Sequence, residues 1–327
     1  MSDLQSISMQ IAQQMKWWTS VQLDVRDRIQ HTRESEAILS RFATLVTQTD
    51  YHYEETAAGE RRLSTSSTYK DGRVQRSEDY FDGRKAAAAE FSKEDPVKQS
   101  RVSKGGSFGR EQSFGHTNRP TPLKWYYVGK IPLYEAVAKA RSLGEEEIAS
   151  TPCVKYMFDD VVLGQTPQSL LYYLRKEDSL PIRIESYKGP DPAATPKQWI
   201  WEADKVDVVQ GHPVVVRSHL IRYNADSSVV RNTLYSEVKH VAFNKKIGME
   251  TFRPIITPEA EIRDGVTGRI QRPARKEQEG QYAAVDLPET TMGAAVPPPA
   301  STQVFTGVSY GMGTLLVLVG VILTLRR

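Results

Sequence analysis

Apolar positions in the first 47 residues recur at helical spacing. Leu4, Ile7, Ile11, Met15 and Trp18 follow i, i+3 and i+4 steps along one face. Val25, Ile29, Ala37, Ile38, Phe42, Leu45 and Val46 mark a second stripe, with Glu34 and Glu36 ahead of Arg41 and no proline between. The spacing predicts amphipathic helices over residues 1–47. Their apolar faces either pack on the following domain or, at the Trp17-Trp18 end, touch a membrane interface. From Thr49 the period drops to two. Ala58-Gly59, Asp71-Gly72 and Asp82-Gly83 separate short strand-like runs, the pattern of consecutive hairpins, and predict a four-stranded antiparallel meander. Sparse apolar alternation along Arg61 to Tyr69 leaves one face of that meander solvated.

Residues 92–122 are polar and basic with four glycines, which predicts a long loop. LKWYYVG (123–129) has the composition of a strand. Pro132 suits a helix first turn and Gly144 a helix stop, so a helix is predicted over Leu133–Leu143 with Leu133, Val137, Ala140 and Leu143 on one side. Strand-like runs follow at 153–163, 168–176, 180–188, 199–210, 212–224 and 229–243, separated by Glu177-Asp178-Ser179, Gly189-Pro190, Gly211 and Asn224-Ala225-Asp226. The class is α+β. About ten strands with one internal helix predict an antiparallel barrel or a strongly curved sheet over residues 48–272.

Beyond the sheet, residues 273–303 are rich in Pro, Ala, Thr and charge, and cannot bury enough apolar surface to fold. They predict a disordered stalk. Residues 304–325 carry no charge. At 1.5 Å per residue they span roughly 33 Å, enough for one transmembrane helix. Leu315, Leu316, Val317, Leu318, Val319, Val321, Ile322 and Leu323 are its apolar half, closed by Arg326 and Arg327. The two arginines place the C-terminus in the cytoplasm and the domain outside, a single-pass topology. The start, MSDLQSISMQIAQQMK, has neither a basic leader nor an apolar stretch for export. Two topologies therefore stay open: an extracytoplasmic domain with a start upstream of Met1, or a tail-anchored protein with a cytosolic domain. Val296–Ser301 is also similar to the VPEP-type motif of cleaved sorting tails, with Pro298 in place of the acidic residue.

Composition narrows the chemistry. The 43 basic and 40 acidic residues leave a net charge of +3, so charge gives no reason to expect nucleic acid as a partner. A single cysteine, Cys153, excludes an intrachain disulfide and a multi-cysteine zinc site. His212 and His219 are seven apart on one predicted strand and so point to opposite faces. Asp159-Asp160 point apart and are expected to end their strand. Lys104–Gly109 lacks the residue order of a phosphate loop. No nucleophile–base set converges, so the chain is expected to be non-enzymatic and to need no cofactor or metal. The basic positions Lys98, Arg101, Lys104, Arg110 and Arg119 are expected in a solvated loop, with contact to an anionic lipid as the alternative. Aromatic residues are more telling. Trp125, Tyr127, Tyr156, Phe158, Tyr173, Trp199 and Trp201, with Leu133 and Val137 on the predicted helix, are candidates to line an apolar cavity. The same side chains also suffice to fill a closed core.

Three features give the chain a family likeness. EAILSRFATLVTQTDYHYEET runs from a helix into a strand. Tyr69-Lys70-Asp71-Gly72 and Tyr80-Phe81-Asp82-Gly83 repeat one turn type. SLLYYLRKEDSLPIRIESY passes from a strand through an acidic turn and a Leu-Pro step into an outgoing strand. Over about Ile38 to Ile270 this resembles the LolA/LolB/RseB-like superfamily of the bacterial cell envelope. The resemblance implies an unclosed half-barrel with helices across its concave side. It also implies either binding of a lipid or lipoprotein acyl chain there, or an RseB-like interaction module with a self-filled core and a membrane-protein partner. LolA holds its lid with a buried arginine, for which no position here can be assigned from sequence.

Overall fold

The computed structural model describes residues 3–39 and 45–271, except 85, 94, 96, 97, 105–118, 122, 164, 165, 190, 191, 193, 194, 225–228, 258, 259, 265, 266 and 268. The N-terminal part holds α1 (Asp3–Lys16), β1 (Ser20–His31), α2 (Arg33–Leu39), β2 (Val46–Thr56), β3 (Arg61–Tyr69), β4 (Val74–Phe81), β5 (Ala86–Phe91) and β6 (Gln99–Lys104). A 3-10 turn at Leu123–Tyr126 leads into β7 (Tyr127–Val128), β8 (Ile131–Pro132) and α3 (Leu133–Ala136). Then come β9 (Arg141–Ile148), β10 (Thr151–Leu163), β11 (Thr166–Arg175), β12 (Pro181–Tyr187), β13 (Lys197–Val209), β14 (His212–Tyr223) and β15 (Val230–Phe243). β16 (Glu261–Asp264) and β17 (Ile270–Gln271) complete the described elements.

All strands but β7 and β8 join one sheet, in the order β17-β16-β6-β5-β4-β3-β2-β1-β15-β14-β13-β12-β11-β10-β9. Its two edges do not meet, so the barrel is unclosed. The predicted meander is β2 to β5, and its turn glycines Gly59, Gly72 and Gly83 all have φ between 82° and 95°, a region an L side chain rarely adopts. The six later strands also form as predicted. Elsewhere the structure corrects the sequence reading. The second N-terminal helix is mostly β1: Val21, Leu23 and Val25 are buried and alternate with more exposed Gln22, Asp24 and Arg26. Among the described residues only the short α2 is helical there, and Phe42 lies outside them. The polar loop contains β6, which pairs β5 and, in parallel, β16. Residues 123–126 are a 3-10 turn rather than a strand. The helix from Leu133 ends at Ala136, followed by a 3-10 turn to Lys139 and then edge strand β9, in which Gly144 lies. Asp159-Asp160 do not end β10. They form a bulge in it, with Asp160 at φ 54°.

The inner face is defined by what lies on it. Leu4, Ile7, Ile11 and Met15 of α1 pack with Trp125, Leu133 and Val137 against Tyr156, Tyr172, Ile184 and Trp201 of the sheet. Ile11, Leu133 and Val137 are 0 % exposed. Full burial of each such side chain contributes roughly 1.5–3 kcal/mol. A second cluster joins Val21, Leu23, Tyr53, Leu63 and Phe243 beside Leu123. After β15 the chain buries Ile256 and Ala260 against Tyr80, Ala89 and Val102. Among the described residues no helix is long and apolar enough to cross a membrane. The predicted stalk, from 273 to 303, and the predicted span, from 304 to 325 with Arg326 and Arg327, lie outside the described residues.

Candidate functional site

A narrow cleft opens where the end of α1 meets the ends of β14 and β15. Gln14, Met15, Trp17 and Trp18 form one wall with Pro213, Val214 and Phe243, while Leu123, Tyr126 and Tyr127 face them. The Trp17 ring stacks on His212 at 3.7 Å and 7°, and its centroid is 4.5 Å from that of Phe243. This stack fixes the direction in which the chain leaves α1 and enters β1. The void itself is about 30 Å³, room for a water or two.

Glu55 and Arg119 give this apolar cleft a charged element. Glu55 is 3 % exposed and Arg119 5 %. Arg119 donates to Glu55 from both Nε, at 3.0 Å, and Nη2. Arg61 Nε approaches the same carboxylate at 3.0 Å, and the Tyr53 hydroxyl donates to it at 2.7 Å. The Arg119 guanidinium lies 4.1 Å over the Tyr127 ring. Burial alone would raise the Glu55 carboxyl, but hydrogen bonding and charge from Arg119, with the Arg61 charge, hold it below its ordinary value. Burial opposes the Arg119 charge as well, and the bond to Glu55 overcomes it and raises that group. The pair therefore stays ionised inside the fold, which requires this density of partners.

Most of the sequence-predicted lining residues converge. Trp125 stands 5.3 Å from Trp201 and 5.5 Å from Trp199, ring to ring, and Phe158 meets Tyr172 edge-on at 5.1 Å. Tyr156, Leu133 and Val137 are in the same cluster, and Tyr127 is at the cleft. Tyr173 is buried in that cluster too, although it pairs with Lys155 and Arg183, one residue out of phase with Tyr156, Tyr172 and Trp201. Arg119 was expected in a solvated loop and is instead buried. Its partner is 64 residues away in sequence, so nothing local signals the pair. Phe243 and Tyr53 were likewise not singled out, and Trp17 was read only as packing on the domain or touching a membrane interface.

Other candidate groups have structural partners. The buried Cys153 thiol donates to the Thr151 carbonyl at 3.3 Å, and burial pushes its pKa up, the reverse of an activated nucleophile. His219 bonds Asp204 at 2.7 Å and approaches Glu202 at 3.3 Å, whereas His212 is in the Trp17 stack. Among the described residues no group of three or more His, Cys, Asp or Glu side chains is arranged to hold a metal ion.

No family model matches the chain, and no curated protein matches it. Solved structures similar to it include an outer membrane lipoprotein-sorting protein domain from Vibrio parahaemolyticus, at 8 % identity over 76 % of this chain and 95 % of that one, with a TM-score of 0.47. A LolA superfamily protein from Nitrosomonas europaea is 13 % identical over 78 % of this chain and 99 % of its own, with a TM-score of 0.42. The MucA/MucB complex of Pseudomonas aeruginosa is similar at 8 % identity, covering 75 % of this chain and 100 % of the matched one, with a TM-score of 0.19.

Proposed function

We propose that this chain is a non-catalytic binding module of the bacterial cell envelope, held at the membrane by residues 304–325, that admits an apolar ligand at the cleft beside Trp17. The observation that carries this reading is the composition of the cleft. Its walls are apolar or aromatic on three sides, and its one charged element is already neutralised internally by the Glu55–Arg119 pair. Such a surface offers burial without chemistry. The void of about 30 Å³ is too small for an acyl chain, so entry requires α1 to shift away from the sheet. The polar bonds that such a shift must break include Ser8 to the Tyr134 carbonyl at 2.6 Å, Ser179 to Gln10 at 2.7 Å, Tyr126 to Gln14 at 3.3 Å and Gln14 to the Asp178 carbonyl.

The test is titration of the full chain with 1-aminoanthracene, read by energy transfer from tryptophan. Saturable binding is expected, and Met15→Asp, at a half-buried position lining the cleft, should abolish it while leaving the unfolding transition in place. Unchanged binding in that variant, or none in the natural chain, would refute the reading. A second reading has its own support: Ile11, Leu133 and Val137 are fully buried against the inner face, as in an interaction module with a sealed core. Native mass spectrometry of the purified chain separates the two, with co-purified lipid favouring the first and a ligand-free species that still captures a protein partner favouring the second.

A further inference from the structure

A polar belt crosses the inner face of the sheet. Ser218, Ser236, Asp27 and Thr49 stand in one register row across β14, β15, β1 and β2. Four residues along the strands, Arg222, Asn232 and His31 form a second row, with Leu220, Leu234 and Ile29 between the two. Trp201 is registered to Leu220 and Trp199 to Arg222, so the belt runs into the aromatic trough. Lys124, on the 3-10 turn, stands beside Asp27 and Arg222.

The hydrogen-bonding capacity of this belt is unbalanced. Ser218 Oγ, Asn232 Oδ1, His31 Nδ1 and Asp27 Oδ1 are buried without a partner, and so are the indole N–H groups of Trp125 and Trp201. Ser218, Asn232 and Trp201 are each 2 % exposed. Lysine, arginine and indole nitrogens can only donate. Two cations, Lys124 and Arg222, face the single carboxylate of Asp27. Asn232 Oδ1 and Asp27 Oδ1 are unpaired acceptors, whereas the two indoles are unpaired donors beside two cations and one carboxylate, so positive charge is in excess where an unpaired donor costs about 1–3 kcal/mol.

We infer that this belt is a binding site for the carboxylate or phosphate head of an amphiphile whose apolar chain lies along Trp125, Trp199 and Trp201. An anionic oxygen group supplies acceptors for the two indoles and a countercharge for Lys124, 4.8 Å from the Trp125 ring, and for Arg222, registered to Trp199, and charge-assisted bonds of this type are the strong ones. The cations respond as uncompensated charges do. Burial, with Arg222 nearby, lowers Lys124 to about 8, and burial, with Arg231 nearby, lowers Arg222. The inference rests on the apolar-ligand reading above and adds the head group to it. Leu123 and Tyr126 border the cleft while Lys124 and Trp125 border the belt, so one turn of chain separates the two.

The experiment is calorimetric titration of the full chain at neutral pH with laurate, dodecyl phosphate and dodecanol, each below its micelle concentration. At least one anion is expected to bind about tenfold or more tightly than dodecanol, a margin of about 1.4 kcal/mol. Preference for laurate identifies a carboxylate ligand and preference for dodecyl phosphate a phosphate one. Lys124→Met with Arg222→Gln should erase the margin, and Asp27→Asn, which removes the opposing carboxylate, should widen it. Equal binding of all three amphiphiles would overturn the head-group site and leave the apolar cleft standing. Binding of none would overturn both. The comparison within the natural chain holds even if the double variant does not fold.

Discussion

Removing either half of the Glu55–Arg119 pair should have unequal consequences. Glu55→Leu leaves Arg119 and Arg61, whose side chains are 4 % and 15 % exposed, pointing at a site with no carboxylate. It also leaves the Tyr53 hydroxyl without its acceptor. Breaking a buried pair in this way costs about 3–5 kcal/mol. Arg119→Met is milder, because Glu55 keeps Arg61 at 3.0 Å and Tyr53 at 2.7 Å. One charged hydrogen-bonding partner is lost and another stays, so about 2 kcal/mol is expected. The double variant, apolar on both sides, should recover much of the loss, with a coupling of about 1–3 kcal/mol. Urea unfolding followed by tryptophan fluorescence measures all three, provided the slope against urea is unchanged. Equal costs for the two single variants would mean that Arg61 does not support Glu55. A double variant whose cost is the sum of the singles would mean that the pair does not interact.

Val137→Asp introduces a carboxylate at a position with no exposed surface and should unfold the domain cooperatively, seen as loss of the thermal transition; retained folding would place water within reach of α3. Asp27 titrates at about 6 in the fold against an ordinary 3.8, because burial outweighs its bonds to Ser236 and Tyr51 and the Lys124 charge. Between about pH 4 and 6 the folded chain then binds more protons than the unfolded one, so stability falls as pH rises through that window, by up to about 3 kcal/mol. Asp27→Asn should flatten that fall in urea midpoints taken at both ends of the window, and an unaltered slope would clear Asp27 of it. Deleting residues 304–327 should move the chain from the membrane to the soluble fraction on sedimentation. A truncated chain that still sediments would point to Trp17 and Trp18 or to another contact.

Where alternating strands are joined by clear turn residues, the pattern was legible. β2 to β5 and β10 to β15 all announce themselves through alternation and turn residues, and the tryptophans of β13 share a face as their spacing of two requires. β1 was misread because Val21, Val25 and Ile29 also satisfy a helical step of four, and no glycine or proline argues against it. Its alternation with Gln22, Asp24 and Arg26 becomes decisive only when β2 and β15 flank it on both sides. β9 was missed because Glu145, Glu146 and Glu147 have poor strand propensity, which pairing with β10 overrides. The Glu55–Arg119 pair and the belt around Asp27 had no local signature, since each is assembled from strands and turns far apart in sequence.

The place of β1 in the sheet has a consequence for biosynthesis. It links the run β1 to β6 with the run β9 to β15, with β2 on one side and β15 on the other. β2 follows it off the ribosome within seconds, but β15 emerges about 200 residues later, a delay of about 10–40 s at ordinary elongation rates. Throughout that interval Val21, Leu23 and Val25 belong to an open edge of a half-made sheet, a template for any other nascent strand. Until β15 arrives, that edge is open to pairing with a wrong neighbour.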